Sequence, residues 1–136
     1  MPTRRRQARI LALQTLYEAD MTGHEPAEIL ERLLRETDAA EEVKAFAREL
    51  VGGAVADRQR LDDVIAKVAP AWPVEQMATI DRNILRLAIL EILLNNRTPV
   101  KAAINEAVEL AKSFGSDNSA KFVNGVLGSV SSMTTR

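Results

Sequence analysis

The stretch from Ile84 to Leu94 constrains the fold of this chain more than any other part of its 136 residues. It reads ILRLAILEILL, and on a helix its apolar residues cover nearly the whole circumference. A helix of that kind is stable in water only when other elements surround it. We therefore expect a helix over residues 80–95 that lies in the middle of a helical bundle.

Apolar residues elsewhere recur at spacings of three and four, and no stretch alternates apolar and polar residues between hairpin turns. We predict an all-α fold of about seven helices in two packed helical bundles. Pro70 and Pro73 should stop the helices around them, so Trp72 should fill a corner between the prolines. We expect one domain over 1–136, with an N-terminal bundle over about 3–69 and a C-terminal bundle over about 74–131.

Helix ends are predicted from the residues that cap them. The first helix should run from about Arg4 to Asp20 and the second from Pro26 to about Thr37. The expected N-terminal caps are Thr3, Asp38, Thr98 and Ser116, and the expected stops are Gly23 and Gly115. The third apolar pattern passes through Gly52 and Gly53, where we expect a bend or a close helix crossing, so it forms either one long helix or two.

Charge is segregated along the chain, although the net charge is only −1. Residues 1–17 carry four arginines and no acid, whereas residues 18–49 carry ten acids against four bases. The arginines (Arg4, Arg5, Arg6 and Arg9) sit at a helix N-terminus, where the helix dipole already makes cations locally unfavourable. Two interpretations stay open: a solvated basic terminus, or a surface that contacts phosphates.

Phe122 does not fit the apolar stripe of the last helix. That stripe consists of Val123, Val126, Leu127 and Val130, and at 100° per residue Phe122 lies roughly 90° from its centre. A partly exposed ring beside Lys121 suits the stacking of an unpaired base. A ring that flanks the core is the alternative.

Several function classes are excluded. The chain has no cysteine and one histidine, His24, which argues against thiol chemistry, a Ser-His-Asp triad and a histidine-rich metal site. No phosphate-binding loop, nucleophile elbow or metal-binding motif occurs. We expect no catalytic residue, metal or cofactor, and so no enzyme. No apolar run is long enough for a membrane span or a secretion signal, so we expect a cytoplasmic protein.

Three segments resemble the NusB family of bacterial transcription antitermination factors. RRRQARILALQTLYEAD looks like the arginine-rich opening of that family, and TIDRNILRLAILEIL looks like its central helix. The longest match, TPVKAAINEAVELAKSFGSDNSAKFVNGVLG, extends from Thr98 to Gly128. The resemblance implies a small all-helical domain of two packed bundles and an adaptor without catalysis.

The resemblance also implies partners and site residues. Family members bind the boxA element of nascent RNA together with NusE, a small-subunit ribosomal protein, in the antitermination complex of RNA polymerase. By matching position, the residues that would face RNA are Arg4, Arg5, Arg6, Arg9, Gln14, Tyr17, Asn118, Ser119, Lys121 and Phe122. Asp81 matches an acidic position on the helix that faces NusE, where its carboxylate could meet a basic residue.

One position departs from the family pattern. An acid is expected near the place of Asn118, and Asp117 precedes it here. An amide beside phosphates repels them less than a carboxylate does, so we expect this chain to bind RNA more readily without its partner.

The resemblance leaves other functions open. A homodimeric or purely structural helical protein would use its apolar faces for self-association, and a factor in ribosomal RNA processing or assembly would use the same RNA surface. Some ribosomal RNA methyltransferases carry a NusB-like domain, but the chain length and the lack of a cofactor-binding βαβ unit lead us to expect no such enzyme.

Overall fold

The computed structural model describes residues 3–95 and 97–134, and within these ranges it has seven α-helices and no strand. The helices are α1 (Arg4–Thr22), α2 (Pro26–Glu36), α3 (Glu41–Ala56), α4 (Arg58–Val68), α5 (Thr79–Ile89), α6 (Val100–Phe114) and α7 (Ser119–Ser131). A 3₁₀ turn (Val74–Gln76) precedes α5, and a π-helical segment (Leu90–Asn95) follows it. The all-α prediction is confirmed.

The chain divides into two compact units, Met1–Ala56 and Asp57–Arg136. The first unit contains α1 to α3, and the second contains α4 to α7. The junction expected at Pro70 and Pro73 lies inside the second unit, because α4 packs against α5 and α7. The prolines do follow the end of a helix, but the helices on either side of them share one core.

In the first unit, α1 packs against both α2 and α3. The Thr3 hydroxyl accepts a hydrogen bond from the Arg6 backbone N–H at 3.1 Å, which is the predicted N-terminal cap. Gly23 ends the helix with φ of 79°, a left-handed conformation that favours glycine, and its N–H donates to the Ala19 carbonyl at 2.8 Å. Both predicted ends of α1 are thus confirmed, although the helix extends two residues past Asp20.

Ion pairs link the three helices at the surface of this unit. Arg48 of α3 donates from Nε and Nη2 to the two carboxylate oxygens of Glu31 on α2, at 2.9 and 3.0 Å. These hydrogen bonds hold the pKa of Glu31 below its usual value. Arg32 of α2 donates to Glu18 of α1 at 2.5 Å. Exposed pairs of this kind contribute little stability each, and they show that part of the acidic middle is neutralised locally.

One expectation for α3 is wrong. Asp38 does not cap it, because the helix begins three residues later at Glu41. The helix continues through Gly52 and Gly53 without a break, and the interruption falls at Asp57 instead. A Cβ placed on Gly52 would meet no atom within 4 Å, so no close helix crossing requires that glycine.

The second unit is built around α5. Every residue from Asn83 to Ile92 is buried, and α4, α6 and α7 all pack against α5. The central helix predicted from its all-round apolar character is confirmed within this unit. Its last turns adopt π-helical geometry rather than continuing as a regular α-helix.

Arg86 lies inside this core although its side chain is charged. It is 4% exposed, and it donates to the two carboxylate oxygens of Asp62 on α4 at 2.7 and 3.1 Å. A third hydrogen bond runs from its Nη1 to the Asn83 side-chain oxygen at 3.0 Å. Because this part of α5 is surrounded on all sides, the buried guanidinium group must be satisfied by partners within the protein.

Glu91 is the second buried charge in this helical segment, and it explains why Thr98 is not a cap. The Thr98 hydroxyl donates to Glu91 Oε1 at 2.7 Å, and both residues are buried. The helix α6 begins at Val100, directly after Pro99.

None of the described helices combines the length and the apolar character that crossing a membrane requires.

We predict that the two arginines paired with Asp62 differ greatly in their effect on stability. Arg86→Met should lower the free energy of unfolding by about 3–5 kcal/mol, because it leaves a carboxylate without its partner in a largely buried site. Arg58→Ala should lower it by less than about 1 kcal/mol, because Arg58 Nε is 3.9 Å from the same carboxylate and its side chain is 55% exposed. Urea unfolding measures both changes, and equal losses would contradict the account.

Candidate nucleic-acid interface

Three arginines form the first turn of α1, and we call Arg4, Arg5 and Arg6 the arginine cluster. Arg4 and Arg5 are exposed, and Arg6 is half-buried. Arg4 forms an ion pair with Glu42 of α3. The guanidinium carbon of Arg5 is 3.9 Å from the centroid of the Phe46 ring, also on α3. Both side chains are therefore held against α3 while remaining in contact with solvent, which reduces the entropy that they lose on binding an anion.

Arg9 is placed differently from the cluster. It is only 5% exposed, and its guanidinium carbon is 5.5 Å from the same Phe46 ring. Arg5 and Arg9 are one helical turn apart, so both can face one aromatic side chain. Arg9 has little surface to offer to a phosphate, and its contact with Phe46 indicates a role in holding α1 against α3.

The Phe46 ring has a role that the sequence pattern does not indicate. Its place in the apolar pattern of α3 predicts a core residue, and it is indeed buried. Nothing in the spacing indicates that its ring supports two arginines from another helix.

Gln14 and Tyr17 lie further along α1, three residues apart, and both are exposed. This spacing places them side by side on the helix surface. The structure therefore leaves both side chains accessible on the same helix as the arginine cluster.

Ser119 is buried, with an exposure of 1%, although the resemblance places it among the RNA-facing residues. Its hydroxyl accepts a hydrogen bond from the Ser116 backbone N–H at 2.9 Å, and the two serine hydroxyl oxygens are 3.2 Å apart. Ser116 does not cap α7, because the helix begins at Ser119 itself. The Ser119 side chain thus organises the turn between α6 and α7.

Gly115 is required by the same turn. A Cβ added there would collide with the Ser119 side chain and would lie 2.8 Å from the Ala111 carbonyl oxygen. Because the Ser119 side chain is buried and hydrogen-bonded and the carbonyl belongs to α6, neither can move aside easily. The turn that presents the start of α7 therefore depends on a glycine at this position.

Asn118 and Lys121 remain accessible at the start of α7. Asn118 is exposed immediately before the helix, and its side chain makes no capping hydrogen bond. Lys121 is exposed, and no carboxylate within the described ranges forms an ion pair with it. An accessible amide thus lies directly before α7, and an accessible ammonium group lies in its first turn.

Phe122 is half-buried, while the four stripe residues predicted for α7 are all buried. The partial exposure that the helical wheel predicts for Phe122 is therefore confirmed. Its ring makes an edge-to-face contact with Trp72, with centroids 6.1 Å apart and planes at 76°. Trp72 is 60% exposed, so the expectation that it fills a closed corner is wrong. The proline-flanked loop holds this ring at the surface, beside Phe122.

Asp81 lies in the first turn of α5 and is half-buried. Its Oδ1 is buried and has no hydrogen-bond partner among the described residues. A buried acceptor without a partner costs free energy, which the positive end of the helix dipole offsets only in part. A basic group from outside the chain would satisfy this oxygen.

No group of three or more potential metal ligands occurs in the described part of the chain.

Comparison with known protein families gives a clear match. The sequence model of the NusB family matches residues 6–132. A protein of Dehalococcoides mccartyi named transcription antitermination protein NusB is 55% identical over 131 residues, which cover 96% of this chain and 92% of that protein. A protein of the same name from Chloroflexus aggregans is 49% identical over 132 residues, covering 96% of this chain and 88% of the relative.

Solved structures give the same match. The structure of NusB from T. maritima has a TM-score of 0.91 at 33% identity and covers 100% of this chain and 96% of its own. A crystal structure of antitermination factors NusB and NusE in complex with dsRNA contains a chain with a TM-score of 0.89 at 27% identity, covering 98% of this chain and 100% of that one.

We predict that Gly115→Ala destabilises the protein by about 1–3 kcal/mol, because the added methyl group overpacks the turn against Ser119 and α6. Gly128→Ala is the matched control on α7. A Cβ there meets no atom within 4 Å, so this change should raise stability by about 0.5–1 kcal/mol through helix propensity. Thermal and urea unfolding distinguish the two, and a neutral Gly115→Ala would show that the turn tolerates a side chain.

Proposed function

This chain belongs to the NusB family, and we propose that it is a non-catalytic RNA-binding adaptor of transcription antitermination. In this proposal it binds boxA-type unpaired RNA together with NusE, in the cytoplasm, as part of the antitermination complex of RNA polymerase. The observation that carries the proposal is the arginine cluster, in which cations are kept at the positive end of a helix and oriented by α3. Such an arrangement is stabilised when an anion such as a phosphate binds.

The second unit supports an RNA strand whose bases are unpaired. Lys121 supplies a cation, and the partly exposed rings of Phe122 and Trp72 supply surfaces on which bases can stack. The related NusB and NusE complex contains dsRNA. Bases inside a duplex are already stacked on each other, so we assign the aromatic rings of this chain to unpaired nucleotides. In the first unit, Gln14 and Tyr17 are proposed to contact RNA along α1 in addition to the arginine cluster.

Asp81 supports the proposed contact with NusE. Its orphaned carboxylate oxygen is suited to accept a hydrogen bond from an arginine or lysine of a protein partner. The family relationship supplies the candidate, since a similar chain has been solved with NusE. We propose that the partner adds to the RNA surface and satisfies this carboxylate at the same time.

We predict that the arginine cluster sets the salt dependence of RNA binding. Each phosphate neutralised on a single strand contributes about −0.7 to the slope of log affinity against log salt. The double substitution Arg4→Ala with Arg5→Ala should therefore flatten that slope by roughly 1.4. Fluorescence anisotropy of labelled boxA-type RNA at several salt concentrations measures it, with and without NusE.

The matched control is the double substitution Arg35→Ala with Arg60→Ala, which removes two exposed arginines outside the cluster. The control should leave the slope unchanged. If both double variants flatten the slope equally, the contribution is one of overall charge and the cluster is not a binding site. If the parent chain binds RNA neither alone nor with NusE, the proposed function is wrong.

We predict that Asn118→Asp weakens RNA binding several-fold, because it adds a negative charge beside the proposed phosphate positions. The side chain is exposed and caps nothing, so stability should change little. The loss should be larger at low salt, where charge repulsion is less screened. A variant that binds RNA more tightly than the parent would contradict the proposal for this position.

A further inference from the structure

An open groove runs between α7 and the loop that follows α4. Its volume is about 380 Å³, which falls at the small end of the range for small-ligand sites. The loop from Ala69 to Trp72 forms one wall, and Lys121, Phe122 and Gly125 of α7 form the other. All of these residues belong to the second unit, and we call this feature the aromatic groove.

Trp72 is held at the mouth of this groove by its flanking residues. Pro70 and Pro73 restrict the backbone on either side of Trp72. The backbone N–H of Trp72 donates to the Ala69 carbonyl at 3.0 Å. The edge-to-face contact with Phe122 fixes the ring from the other wall. A large apolar ring that is 60% exposed and also restrained loses little entropy when a flat ligand stacks on it.

The charge of the groove selects the kind of ligand. Lys121 is the one charged residue in its described lining, and it has no ion pair with a described carboxylate. A ligand that fits therefore combines a flat apolar group with a negative charge close to it. A nucleotide of a single strand has this chemistry, with a base to stack and a phosphate for the ammonium group.

Gly125 keeps the groove open. It lies three residues after Phe122 and four after Lys121, so all three share one face of α7. A Cβ built on Gly125 meets no atom within 4 Å. The lack of a side chain at this position therefore leaves room for a ligand and is not required by helix packing.

We propose that the aromatic groove binds one unpaired nucleotide of the RNA strand, with its base stacked on Trp72 and Phe122 and its phosphate at Lys121. This inference rests on the proposed function. It adds Gly125 to the residues that determine binding, and it assigns Trp72, Phe122 and Lys121 to one nucleotide. The sequence pattern assigns neither Trp72 nor Gly125 to a site.

Trp72 is the single tryptophan of the chain, so its fluorescence reports on the groove directly. The full chain is titrated with a boxA-type single-stranded RNA and, separately, with the same sequence as a duplex. Stacking should quench or shift the tryptophan emission with the single strand, and the duplex should change it much less because its bases are already stacked.

Substitutions test the groove by anisotropy with the labelled single strand. Trp72→Ala should weaken binding roughly fivefold to a hundredfold, the range measured for loss of one base–aromatic stack, and Trp72→Phe should restore most of it. Gly125→Leu should weaken binding similarly by filling the groove. Its matched control is Gly128→Leu, at a glycine of the same helix that is also open to solvent and does not line the groove. Thermal unfolding checks that all four variants fold.

The outcomes separate this inference from the function on which it rests. If the parent binds RNA with the expected salt dependence but tryptophan emission, Trp72→Ala and Gly125→Leu are all without effect, the groove proposal is wrong and the adaptor function stands. If the emission responds to NusE alone and not to RNA, the groove binds protein and the proposal is equally wrong. If the parent binds no RNA, the proposed function fails first.

Discussion

Burial of the segment from Asn83 to Ile92, which includes most of α5 and the start of the π-helical segment, is the constraint on which the second unit depends. It removes the two ionisable side chains Arg86 and Glu91 from water, so each must find its partners inside the protein. Arg86 forms an ion pair with Asp62 of α4. Glu91 accepts a hydrogen bond from Thr98, in the segment that leads into α6. These contacts tie the neighbouring elements to the central helix in one arrangement. The loop after α4 and the start of α7, which carry the aromatic groove, are positioned by that packing.

In each unit, short-range contacts fix the side chains that are proposed to bind RNA. In the first unit, the Phe46 ring and Glu42 hold Arg5 and Arg4 against α3 while leaving them accessible. In the second, the approach of Ser119 to Gly115 sets the turn before α7, and the proline-flanked loop fixes a tryptophan against Phe122. Binding surfaces built on restrained side chains lose less entropy when a ligand binds. The proposed mechanism therefore depends on local rigidity more than on the net charge of the chain.

The features that the sequence predicted well are those that local chemistry decides. The Thr3 cap, the Gly23 stop and the apolar stripe of α7 need only neighbouring residues, and all three are present. The features that it missed depend on contacts across helices. The sequence predicts Thr98 as a cap, and the resemblance places Ser119 among the RNA-facing residues. The Thr98 hydroxyl instead donates to a buried glutamate, and the Ser119 hydroxyl lies inside a turn. The exposure of Trp72 and the burial of Arg9 likewise follow from packing that no spacing pattern encodes.

The arginine cluster and the aromatic groove are each proposed to contact single-stranded RNA. Photochemical crosslinking of one single-stranded RNA to the full chain, followed by mass spectrometry of the crosslinked peptides, tests both contacts directly. Crosslinks are expected at the first turns of α1 and at Trp72 or Phe122. Crosslinks that are absent from either of these two places would contradict the proposal.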